Sequence, residues 1–122
     1  MHTIFQQRAE ENIKAAQLLF DANFFHASAN RAYYAAYHAA VAAILAKGLE
    51  FNSDHKKVQA AFNGEVLRRS KTLTNDLKGY LSTMHTIRAM ADYEERGISK
   101  QMAKDQLRKA HDFVSRINEE LP

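Results

Sequence analysis

"FFHASANRAYYAAYHAAVAAILAKG", residues 24–48, decides the fold. Alanines and large apolar groups alternate through it with no proline, and Gly48 closes it with a residue that takes the left-handed cap conformation at little cost. The pattern predicts a helix from Phe24 to Lys47, with Tyr33, Tyr37, Ala40 and Ile44 along one side. Small side chains let backbones approach closely, so such a helix belongs at the centre of a bundle or against a second copy of itself. Against that background Arg31, Tyr34 and His38 stand out. Arg31 and His38 are seven positions apart, which returns to within about 20° of one direction on a helix, and Tyr34 falls between them.

The flanking sequence continues the helical reading. Ile4, Phe5, Ala9, Ile13, Ala16, Leu19 and Phe20 recur at spacings of three and four, predicting a first helix from Thr3 to Asp21, and "DANF" interrupts before the next. A third helix is expected to open at Ser53 or Asp54, either of which can cap free amides, and to fade at Asn63 and Gly64. "EVLRRSKTLT" after it reads equally as loop or a further turn. A fourth helix, Thr74 to Arg96, would send Leu77, Leu81, Met84, Ile87 or Arg88, and Ala91 to the core before Gly97 stops it. A fifth, Ser99 to Glu120, repeats the stripe with Met102, Gln106, Ala110, Phe113 and Ile117. One proline, at the end, and four glycines in 122 residues suit long helices. The expected architecture is all-α, an up-and-down bundle of four to five helices forming one domain over residues 1–122.

Composition limits the chemistry. With no cysteine there is no disulfide, thiolate ligand or thiol nucleophile, and cytoplasmic residence is the expectation. No leader-like or membrane-spanning segment is expected, because acidic residues come early and the longest weakly polar run is short. The formal net charge of +3 is a mild excess that does not by itself make a nucleic-acid binder. No histidine pair has metal-ligand spacing and no glycine-rich phosphate loop occurs, so neither metal nor cofactor is expected.

Two clusters carry the remaining chemistry. On helix two, Arg31, Tyr34 and His38 combine a phosphate-matching fork, a phenol and a group that titrates near neutrality, a set suited to metal-free cleavage of RNA by its own 2'-hydroxyl. Packing and snorkelling within the bundle would account for the same residues. In "MHTIRAMADYEERG", residues 84–97, His85, Arg88 and Asp92 share a helical face beside Tyr93. An ordinary Arg88–Asp92 surface pair is the plain alternative, but Arg88 falls where the apolar stripe should continue, and a charge there needs a partner or ligand. His55, near the start of helix three, suits either a solvated loop or a phosphate-facing role.

Taken together, the helix-two segment, a histidine at 55 opening the next helix, and "LSTMHTIRAMADYEERG" resemble the HEPN domain family, the higher eukaryote and prokaryote nucleotide-binding domain, in its small stand-alone prokaryotic form. The resemblance covers about residues 9 to 97. It implies an all-helical bundle, commonly a homodimer, that binds nucleotide or RNA, and a gene pairing with a minimal nucleotidyltransferase as toxin and antitoxin. Catalytic members resemble metal-independent ribonucleases in which an arginine and a histidine have four to six residues between them. Arg31 and His38 match that spacing, though on helix two, while the family carries the motif on a late helix. There this chain has Arg88 and Tyr93 with Asp92 near the histidine's place, and an ionised carboxylate repels phosphate and donates protons poorly. The resemblance therefore yields Arg31, His38 and Arg88 as candidate catalytic residues and Tyr34, His55, His85, Asp92 and Tyr93 as candidate nucleotide or RNA contacts. A non-catalytic module that docks onto a nucleotidyltransferase is the other class that fits.

Overall fold

A computed structural model describes residues 1–51, 53–95 and 97–121. Five α-helices account for most of them: α1 (His2–Asp21), α2 (Phe25–Ala46), α3 (His55–Ala61), α4 (Tyr80–Tyr93) and α5 (Lys100–Glu120). No strand occurs among the described residues, so the all-α expectation holds. Cross-helix contacts give the directions. Ser28 reaches Ala16, Arg31 reaches Asn12 and the His38 ring meets Phe5, so α1 and α2 run antiparallel. Asn30 meets Asp92 and Tyr33 meets His85, which sets α4 antiparallel to α2. Tyr80 donates to Asp112 and Gln106 donates to the Met84 carbonyl, so α5 returns antiparallel to α4.

α2 is the hub, packed by α1, α4, α5 and the α3 segment. From Ser28 to Ile44 every residue is buried except Asn30, Arg31, Tyr34 and His38. The alanines expected either inside the bundle or against a second copy are thus used within the chain itself: Ala32, Ala35, Ala36 and Ala40 are fully buried. Two buried polar groups tie the hub down. The Ser28 hydroxyl donates to the Ala16 carbonyl at 2.8 Å, and the Gln106 amide donates to the Met84 carbonyl at 2.8 Å. Unpaired, either would cost about 1–3 kcal/mol.

Local signals explain the helix ends. Asn23, in the left-handed region at φ 68°, turns the chain between α1 and α2, and asparagine tolerates that region better than most residues. Of the two caps expected for α3 the structure uses Asp54, whose carboxylate accepts from the Lys56 and Lys57 amides at 2.9 and 3.2 Å. Ser99 caps α5 by accepting from Met102 N at 3.1 Å.

Three expectations change. The chain does not leave its helical path at Asn63 and Gly64: α3 runs on as a π-helical turn, Phe62–Leu67, because Phe62, Val66 and Leu67 all bury their side chains. The fourth helix does not start at Thr74. A 3-10 turn, Asn75–Gly79, comes first, held by Arg116 of α5 through Asp76 at 2.7 Å, and α4 proper begins at Tyr80. It ends at Tyr93, while the expected end at Arg96 lies outside the described residues. In α1 the stripe is buried at Ala9, Ile13 and Ala16, but Ile4 is exposed, since the first turn overhangs the bundle.

Candidate functional site

The four window positions of α2 open onto one surface shared with α1, α4 and the start of α3. Arg31 extends along α1: its NH1 donates to Asn12 Oδ1 at 3.1 Å, and its Nε and NH2 donate to Asn30 Oδ1 at 3.0 and 2.5 Å. The same guanidinium lies 5.0 Å from the Tyr34 ring centre. From α4, Arg88 approaches that ring to 5.4 Å and the exposed Tyr93 ring to 5.8 Å. One phenol is therefore flanked by two guanidiniums from different helices, a cation–π arrangement that holds two positive charges closer together than bare repulsion allows.

Asp92 balances part of that charge. It lies 3.0 Å from Arg88 Nε and accepts from Asn30 Nδ2 at 2.9 and 3.2 Å. The plain ion pair foreseen from the i, i+4 spacing is therefore present, and Asn30 turns it into a bridge between α2 and α4. The Arg88 Nε–H is buried and, although 3.0 Å from the carboxylate, makes no aligned hydrogen bond among the described residues. Asn30 and Asn12 were invisible to sequence reasoning, because their partners lie 62 and 19 positions away.

His38 completes the face at its far end, 6.4 Å from Tyr34, 5.7 Å from Phe5 and 5.6 Å from Tyr37, ring centre to ring centre. Its Nδ1 is buried with no hydrogen-bond partner among the described residues. Burial, then the charges of Arg8 and Arg31, holds its pKa below the usual value. The imidazole is neutral at pH 7 and suited to accept a proton.

His55 and His85 join the cluster from the other side. The His55 ring stacks on Tyr37 at 4.7 Å and on His85 at 5.1 Å, and His85 stacks on Tyr33 at 5.2 Å. The Tyr33 hydroxyl lies 2.5 Å from His55 Nδ1. Helix capping by Asp54 sets His55 as the first residue of α3, and so inside this stack rather than in a solvated loop. Burial leads in lowering both imidazole pKa values; His85 and Arg88 add to it at His55, and Arg88 at His85. Burial also keeps the Tyr33 phenol protonated well above its ordinary range. Tyr33 and Tyr37, expected only to pack, prove to position His55.

Arg31, Tyr34, His38, His55, His85, Arg88, Asp92 and Tyr93 thus form one contiguous patch. Its chemistry is two guanidiniums, one carboxylate, three imidazoles held below their usual pKa, the half-buried Tyr34 ring and the exposed Tyr93 ring, and among the described residues no group of three or more His, Asp or Glu side chains is arranged to hold a metal ion.

Comparison with known proteins finds relatives over most of the chain. A Thermotoga maritima protein named "UPF0332 protein" is 36% identical over 114 residues, spanning 93% of this chain and 85% of its own length. A Methanocaldococcus jannaschii protein, "Putative toxin MJ0605", is 31% identical over 114 residues, 93% of this chain and 83% of its own. A second from that organism, "Putative toxin MJ0142", is 27% identical over 117 residues, 94% of this chain and 78% of its own. The HEPN domain model matches residues 4–120, and the chain belongs to the HEPN domain family.

Proposed function

We propose that this HEPN protein binds RNA or a nucleotide through the α2–α4 patch, as the toxin-type member of a pair. The observation that carries the reading is the solvent window of α2: between Ser28 and Ile44, where the helix is otherwise buried, the open positions are Asn30, Arg31, Tyr34 and His38, and Arg88 of α4 lies over the Tyr34 ring. Guanidiniums flanking a phenol offer donors to a phosphate, and the rings of Tyr34 and Tyr93 offer faces to a base. Relatives named as toxins support the second part of the reading.

The same residues suit metal-independent cleavage. His38 takes the proton of a ribose 2'-hydroxyl, the 2'-oxygen attacks phosphorus, and Arg31 and Arg88 stabilise the charge growing on the phosphate oxygens. The bond to the 5'-oxygen breaks, that oxygen takes a proton from solvent, and a cyclic phosphate remains. Tyr34, His55, His85 and Tyr93 contact the strand, and Asp92 tempers the charge of Arg88. A homodimer and a nucleotidyltransferase partner belong to the same proposal.

Anisotropy with a labelled single-stranded RNA tests binding, and the same RNA incubated with excess chelator tests cleavage. Binding that weakens about tenfold or more in Arg31→Ala or Arg88→Ala is the expected result. Chelator-resistant product lost in His38→Ala assigns the proton transfer to His38, whereas binding with no product leaves a binding protein. No binding to RNA or nucleotide refutes the reading and leaves the interaction module.

A further inference from the structure

Packing does not require two imidazoles in the ring stack beside Tyr34. His55 and His85 come from different helices, lie 5.1 Å apart with planes 21° from parallel, and a phenylalanine at either place would stack as well. Their common neighbour is the Arg88 guanidinium, whose charge bears on both. A phenol, moreover, is spent on orienting one of them. When Tyr33 donates to His55 Nδ1, the ring's hydrogen sits on Nε2 at its opposite edge, a donor with no assigned partner in the stack. The Tyr34 ring centre is only 6.1 Å from that of His55, so the guanidinium clamp and the imidazole pair are adjacent.

We propose that His55, His85 and Arg88 form a second phosphate subsite, filled by the phosphodiester next along the strand from the one held by Arg31, Tyr34 and Arg88, and that the subsite takes up protons as it fills. The inference rests on the RNA-binding reading. In the empty site, desolvation and Arg88 favour the neutral form of both imidazoles, with His85 adding to this at His55 and Asp54, at the start of α3, opposing it there. The α2 groups facing them, Tyr33 and Tyr37, stay uncharged because burial raises both phenols. A phosphate charge reverses the balance and favours imidazolium. Tyr33 accommodates the change, since its hydroxyl can turn from donor to acceptor once Nδ1 carries a proton. Binding and protonation then reinforce each other by linkage.

Calorimetry of the full chain with a single-stranded oligoribonucleotide, in two buffers of different ionisation enthalpy near pH 6.5, counts the protons. The expected result is net uptake, with affinity rising as pH falls from about 7.5 to about 6, by at most about tenfold per pH unit for each proton bound. The double variant His55→Gln, His85→Gln should bind more weakly and lose the uptake. NMR titration of the unsubstituted protein, which does not depend on the variant folding, should show the His55 and His85 midpoints moving upward when RNA is added. RNA binding without proton uptake, or uptake undiminished in the double variant, overturns the subsite and leaves the binding reading intact. Absence of RNA binding by the unsubstituted protein removes both.

Discussion

At the scale of single residues, His38 links the site to stability. Its folded-state pKa lies below the ordinary value, chiefly through burial, so the unfolded chain takes the proton first as pH falls through about 6.5. The stability it contributes is complete above that value and is lost below it; His55 and His85 act in the same direction. Melting temperature should therefore fall between about pH 7 and pH 5, and His38→Phe, which keeps a ring and removes the titrating nitrogens, should flatten the fall. An unchanged slope in that variant would show that His38 is not held neutral. Two glycines make a paired test of backbone strain. Gly97 and Gly48 both have positive φ, 68° and 77°, but a Cβ at Gly97 would sit 1.9 Å from His26 Nε2, whereas nothing lies within 4 Å at Gly48. Gly48→Ala should cost about 1–2 kcal/mol from the left-handed backbone alone. Gly97→Ala should cost more in urea unfolding, because His26, which accepts from Ile98 N at 3.3 Å, must also give way. Equal costs would mean that the His26 contact carries no weight.

At the scale of elements, the alanines of α2 matter for what they leave out. Ala36 is fully buried in the hub, so Ala36→Leu should destabilise by about 1–3 kcal/mol through overpacking, while Ala27→Leu, at an exposed position of the same helix, should stay within about 0.5 kcal/mol. Denaturant midpoints for the two variants decide it; a tolerated leucine at 36 would mean that α2 is not closely walled. The same helix shows what could be read from the sequence. Its limits and the cap at Asp54 are local signals, written within a few residues of where they act. Arg88 was legible for a related reason, as a charge interrupting an apolar period. The continuation past Asn63 and Gly64 was not, because burial of Phe62, Val66 and Leu67 outweighs the turn tendency of the pair. Nor were the roles of Asn12, Asn30, Tyr33 and Tyr37, each set by a partner on another element that no spacing reveals.

At the scale of the whole molecule, a net charge of +3 is too small to attract nucleic acid from every side, so affinity should reside in the patch. With the imidazoles neutral at about pH 8, two phosphate contacts predict a slope near −1.4 in a plot of log affinity against log salt, and Arg31→Ala should roughly halve it. A slope unaffected by that substitution would move the RNA to another surface. The burial of α2 has one further consequence. Amide hydrogens along its middle are shielded by α1, α4 and α5 together, so they should exchange with deuterium only when the entire chain opens, later than those of the α3 turn. Arg31, Tyr34 and His38 are rooted in that last-opening segment, and an incoming strand meets a template already shaped. The ordering entropy of association then falls on the flexible nucleic acid, and sequences that are readily splayed and unstacked are the ones this surface selects.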